Sequence, residues 1–127
     1  YEQLGVSAEV VEFIDDMAAA YQEADLVICR AGALTVSEVA AAGIPAIFIP
    51  FPHAVDDHQT QNARYLVEAG AARLIKQASL DVDDLAKLLR GLLSDREALT
   101  LMGKKALAHA KPNATACVAE QVLEVAA

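Results

Sequence analysis

Apolar and polar positions divide the chain into short runs and longer periodic stretches. "EVVEF" (residues 9–13), "DLVICR" (25–30), "PAIFIPF" (45–51) and "AARLI" (71–75) are short, mostly apolar runs bounded by turn residues. Runs of this length predict strands, and the near-continuous second and third predict burial on both faces. Between them the period lengthens. After a turn at Ile14–Asp16, the residues Met17, Ala20 and Tyr21 fall on one face of a short helix. Residues 34–42 read as a helix closed by Gly43, with Pro45 beyond it, and His58 to Glu68 as another closed by Gly70. From Ser79–Asp81 onward the pattern is helical throughout. Leu85, Leu88, Leu89 and Leu92 form one apolar stripe, and Ser94-Asp95-Arg96-Glu97 matches a capping box opening the next helix. Pro112-Asn113 breaks that helix, and Ala114 to Val125 makes the last.

Strands alternating with helices predict an α/β fold: a Rossmann-like parallel sheet with helices on both faces. Right-handed crossovers bring the carboxyl ends of all strands to one rim, where such sheets bind ligands. The loops on that rim are 14–17, 30–35 and 51–59, and the polar residues gather there.

Composition narrows the choice. The chain has 127 residues, 55% of them hydrophobic, which is enough for one domain with a real core. A formal charge of −8 argues against nucleic acid as a partner. It does not exclude one phosphorylated small molecule, because backbone N–H groups hold phosphate without lysine or arginine. Cys29 and Cys117 have neither metal-ligand nor CxxC spacing, so a reducing, cytoplasmic setting is expected. No apolar run approaches the ~20 residues of a membrane span, and no signal peptide is visible. The first residue is Tyr1, and the chain is expected to be part of something longer.

The junction "CRAGALTVSE" (29–38) carries the most chemistry. Past Gly32, the N–H groups of Ala33, Leu34 and Thr35 open a helix and form a site for an anion. Glu38 lies one turn further in and on the same face. It would repel a phosphate directly above it but suits a pair of sugar hydroxyls. Two readings stay open on spacing alone. In one, phosphate sits at the turn and ribose at Glu38. In the other, Thr35 or Ser37 is a cap and Glu38 a solvated charge.

The other rim loops are similarly divided. "FIDDM" either offers Ile14 backbone groups and the Met17 side chain to a flat ring, or places Phe13 and Met17 in the core. Gln59 and His58 suit sugar hydroxyls. Asp56-Asp57 beside two histidines reads as a helix cap rather than a metal site.

The segments "EFIDDMAAAY", "ADLVICRAGALTVSEVAAAGIPAIFIPFPH", "DDHQTQNA" and "EAGAA" together resemble the C-terminal half of the family 28 glycosyltransferases. The bacterial members that the segments resemble add N-acetylglucosamine to lipid I in peptidoglycan synthesis. The resemblance covers essentially the whole chain. It implies a GT-B protein of two Rossmann-like domains, of which residues 1–127 are the UDP-GlcNAc-binding domain without its first strands. Carried over by position, Phe13, Ile14 and Met17 meet the uracil. Ala33, Leu34 and Thr35 face the diphosphate and sugar, Glu38 grips the ribose, and His58 and Gln59 contact the sugar. His58 stands where the family has glutamine, and Ala31 where a serine is common.

The implied chemistry is an inverting displacement without metal or cofactor, with no catalytic residue in this chain. Lipid I would be held by the other domain, and the whole protein would sit peripherally on the cytoplasmic face of the inner membrane. The residues here would bind donor without transferring sugar. Two alternatives remain: a free-standing UDP-sugar-binding subunit of a two-piece transferase, and a non-catalytic nucleotide-sugar-binding fragment. A sheet lacking its first strands would also expose edges that favour self-association.

Overall fold

The computed structural model describes residues 1–53 and 57–126. Among them are three strands, β1 (Val27–Cys29), β2 (Ala46–Phe48) and β3 (Ala72–Leu74). They form one parallel sheet in the order β1-β2-β3, with Val27 opposite Ala46 and Ala46 opposite Ala72. The described residues also form six α-helices: α1 (Met17–Glu23), α2 (Ala33–Ala42), α3 (His58–Glu68), α4 (Val82–Ser94), α5 (Arg96–Ala108) and α6 (Ala114–Ala126).

The side-chain alternation of β2 separates two cores. Ala46 and Phe48 face a cluster built with Val36, Val39 and Ala40 of α2 and Ala63 and Leu66 of α3. Ile47 faces the other way, into a cluster with Leu92 of α4 and Leu99 and Met102 of α5. Helices therefore cover both faces, as the pattern predicted, and the central strand is fully buried.

Two expectations about strands fail. Residues 9–13 are not a strand; the segment is irregular, with Val10 and Phe13 each 77% exposed. Ordering a residue costs about 1–2 kcal/mol, whereas a backbone hydrogen bond returns about 0.5–1.5 net. The free edge of β1, three residues long, offers too few bonds to recruit five. β1 is also not buried on both faces: it is the edge strand, and Ile28 is 46% exposed.

Helix ends follow local chemistry. Gly43 takes the left-handed conformation (φ 63°), and its N–H and that of Ile44 reach back to the carbonyls of Ala40 and Val39. This double closure needs a residue free of the Cβ clash at positive φ. Asp16 and Asp81 cap α1 and α4 through their carboxylates. Asp95, not Ser94, caps α5, bonding Ala98 N–H at 2.9 Å; Ser94 donates to Gly91 O instead. The cap of α5 thus lies one residue later than the capping-box pattern predicts. No helix among the described residues is long and apolar enough to cross a membrane.

Candidate functional site

The helices following β1 and β2 both start at the rim where the strands end, which places the turn at Arg30–Gly32 beside the start of α3. Three side chains fix that turn. Gln59 Oε1 accepts from the N–H of Phe51 (2.9 Å) and of Ala31 (3.3 Å). Asn62 Nδ2 donates to Ala31 O at 3.1 Å, so both backbone groups of Ala31 are held by α3. Arg30 Nη1 donates to the carbonyls of Ile49 and Pro50, and its guanidinium lies 5.7 Å from the centre of the Phe51 ring. The rim is therefore cross-tied from β1 to β2 to α3.

α2 opens without a side-chain cap. Its first carbonyl-bound N–H is that of Val36, to Gly32 O. The N–H groups of Ala33, Leu34 and Thr35 precede that bond and have no place in the helix ladder. Ser37 cannot be the cap, because its hydroxyl donates to Ala33 O one turn back. Ala33 is exposed and the Leu34 side chain is 73% exposed. Gly32 itself is extended (φ −61°, ψ 149°), and a Cβ there would make only an ordinary contact with Thr35 Oγ1. What glycine supplies at this turn is open backbone, not an unusual dihedral.

One turn along, Glu38 is half-buried and lines a groove of about 470 Å³ between α1 and α2. Met17, Ala18, Tyr21 and Gln22 form the α1 wall, with Ala41 and Ala42 beside Glu38. The Tyr21 hydroxyl donates to Glu38 Oε2 at 3.3 Å. Burial, followed by the Glu38 carboxylate, pushes the Tyr21 phenol up to about 12. Phe13 and Ile14 precede the groove and are exposed, and neither backbone group of Ile14 bonds another backbone group among the described residues.

The predicted residues thus fall into three places. Met17 and Glu38 share the α1–α2 groove. Ala33, Leu34 and Thr35 form the open end of α2. His58 and Gln59 begin α3, where His58 is exposed and Gln59 half-buried. Sequence reasoning missed Tyr21, Asn62 and the structural tasks of Arg30 and Gln59. The signal for Tyr21 was its place four residues after Met17 on the same helical face. Gln59 and Asn62 had no local signal, because Ala31 lies 28 and 31 positions away. Of the acidic pair before α3, Asp57 (φ 53°) accepts a 2.6 Å bond from Thr60 Oγ1, while Asp56 lies outside the described residues. Among the described residues, no three His, Cys, Asp or Glu side chains gather as metal ligands. Burial raises the Cys29 thiol to about 11, so it stays a neutral packing group.

Comparison with known proteins identifies the family. Residues 1–118 match the glycosyltransferase family 28 C-terminal domain. The chain is 60% identical over 120 residues to the UDP-N-acetylglucosamine--N-acetylmuramyl-(pentapeptide) pyrophosphoryl-undecaprenol N-acetylglucosamine transferase of Cupriavidus metallidurans, covering 94% of this chain and 33% of that protein. It is 56% identical over 126 residues to the same-named protein of Marinobacter nauticus, covering 99% and 35%. The crystal structure of Acinetobacter baumannii MurG superposes with a TM-score of 0.86 at 52% identity, over 91% of this chain and 33% of that one. The chain therefore spans about a third of the length of these relatives, and it belongs to the glycosyltransferase family 28 C-terminal domain family.

Proposed function

We propose that this chain is the donor-binding part of an N-acetylglucosaminyltransferase that uses UDP-GlcNAc and passes the sugar to lipid I. The observation that carries the reading is the pairing of an uncapped helix end with a groove-lining carboxylate one turn below it. A diphosphate fits the N–H groups of Ala33, Leu34 and Thr35, and the ribose diol fits Glu38. Phe13, Ile14 and Met17 lie on the uracil side. His58 and Gln59 lie on the sugar side. Similarity to relatives named as N-acetylglucosamine transferases supports the choice of donor.

In the reaction, an acceptor hydroxyl attacks the anomeric carbon as the bond to UDP breaks, and the configuration inverts. Negative charge grows on the leaving diphosphate. The fixed N–H groups of α2 stabilise that charge more in the transition state than in the ground state, which lowers the barrier. This chain contributes donor binding and leaving-group stabilisation. The acceptor, its base and a peripheral contact with the inner membrane belong to the part of the whole protein outside these residues. The test is calorimetry on the full-length protein containing this sequence. UDP-GlcNAc and UDP are expected to bind at one site and GDP at none; equal binding of GDP would overturn the reading.

Gln59 gives a sharper check on the sugar side. Its Oε1 is occupied by the two backbone donors, which leaves Nε2 for a sugar hydroxyl. Gln59→Glu keeps the acceptor, loses the donor and adds a charge near the diphosphate, so it is expected to weaken UDP-GlcNAc by more than it weakens UDP. Gln59→Leu loses both, and should also lower stability by about 1–3 kcal/mol as the N–H groups of Ala31 and Phe51 lose their partner. Thermal melts beside calorimetry with both ligands separate the two effects.

A further inference from the structure

Tyr21 stands at the groove without a part in the reading above. Its hydroxyl crosses the α1–α2 seam to Glu38 Oε2. The ring is half-buried against the main core, so α1 holds it in place. Glu38 Oε1 has no hydrogen bond among the described residues, and Glu38 takes part in neither of the ion pairs found there, Lys87–Asp84 and Arg96–Asp25. The carboxylate is therefore oriented by a neutral donor on one oxygen and left charged and open on the other.

We propose that Tyr21 is a positioning residue for nucleoside recognition, its hydroxyl fixing the Glu38 carboxylate so that Oε1 meets the ribose diol. The inference rests on the ribose reading of Glu38 and deepens it. A glutamate on a helix face otherwise samples several rotamers, and ordering it on binding counts against affinity. A lysine in the same place would orient the carboxylate but also neutralise the charge that strengthens bonds from sugar hydroxyls. A phenol orients without neutralising. Because burial and Glu38 hold its pKa well above the usual tyrosine value, the hydroxyl remains a donor at any pH at which an enzyme works.

Tyr21→Phe in the full-length protein keeps the ring and removes only the hydroxyl. The expected result is a Kd for UDP and a KM for UDP-GlcNAc both raised about three- to tenfold, the range of one ordinary hydrogen bond, with kcat unchanged. With a UDP analogue lacking both ribose hydroxyls, the variant and the parent should bind alike. The double variant Tyr21→Phe/Glu38→Ala should bind UDP no more weakly than Glu38→Ala alone. A packing role would instead weaken UDP and the dideoxy analogue equally, and that result overturns the proposal. If Glu38→Ala weakens UDP but Tyr21→Phe does not, positioning fails and the ribose reading survives. If Glu38→Ala leaves UDP binding intact, both fall.

Discussion

Glu38→Ala is expected to weaken UDP and UDP-GlcNAc binding about ten- to thousandfold, measured by calorimetry on the full-length protein. Two effects of opposite sign decide the size. Removing the carboxylate removes two charge-assisted hydrogen bonds to the ribose, each contributing about 1.5–3 kcal/mol. It also removes repulsion of the diphosphate at the end of α2. That repulsion acts across about one helical turn, ~5 Å, and in a groove open to water it amounts to roughly 0.8 kcal/mol per phosphate charge. Hydrogen bonding wins even against both phosphate charges, leaving a net loss of about 1.5–4.5 kcal/mol. Glu38→Gln should fall between, because the amide keeps one acceptor without charge. Fold stability should change little, since Glu38 is half-buried and, among the described residues, its side chain bonds only Tyr21, at 3.3 Å. Unchanged affinity in Glu38→Ala would remove the carboxylate from nucleotide recognition.

The helices were legible because their signals are local. The bounds of α3 match the sequence reading to the residue, and Gly43 with Pro45 marked the end of α2 correctly. A helix satisfies its own backbone, so spacing and end residues suffice to place it. A strand depends on a neighbour. "EVVEF" has strand composition, but nothing in its five residues reveals whether a ladder is available, and no ladder forms. Likewise "DLVICR" revealed a strand but not its place at the edge of the sheet. The open end of α2 and the position of Glu38 could be read because they lie within one turn of each other. The cross-ties from Gln59, Asn62 and Arg30 could not, because they join backbone groups brought together by the sheet register. Tyr21 was legible only as an apolar face of α1; its hydroxyl acquires a task once α1 packs on α2.

The largest effect on stability is expected at Gly103, in the middle of α5. Helix propensity argues that alanine there should stabilise by about 1 kcal/mol. Packing argues the reverse. α5 crosses α2 at Gly43, and a Cβ on Gly103 would press into the Gly43 carbonyl oxygen, with Pro45 Cδ also at 3.5 Å. The obstacle is backbone, not the end of a flexible side chain, and it cannot turn aside. Gly43 is itself fixed by its left-handed φ and its bonds to Ala40 and Val39. Overpacking of this kind costs about 1–3 kcal/mol or more, so Gly103→Ala should destabilise despite its better propensity, and Gly103→Val by about 3 kcal/mol or more. Gly91 in α4 supplies the contrast. It is exposed, and a Cβ there meets nothing within 4 Å, so Gly91→Ala should gain about 0.5–1 kcal/mol. Urea unfolding of the three variants beside the parent tests the pair. A stabilising Gly103→Ala would mean that α5 can slide off α2 without loss. Since the same α2 carries the open amide end at Ala33, donor affinity measured in the destabilised variants also reports whether a shift at one end of the helix reaches the other.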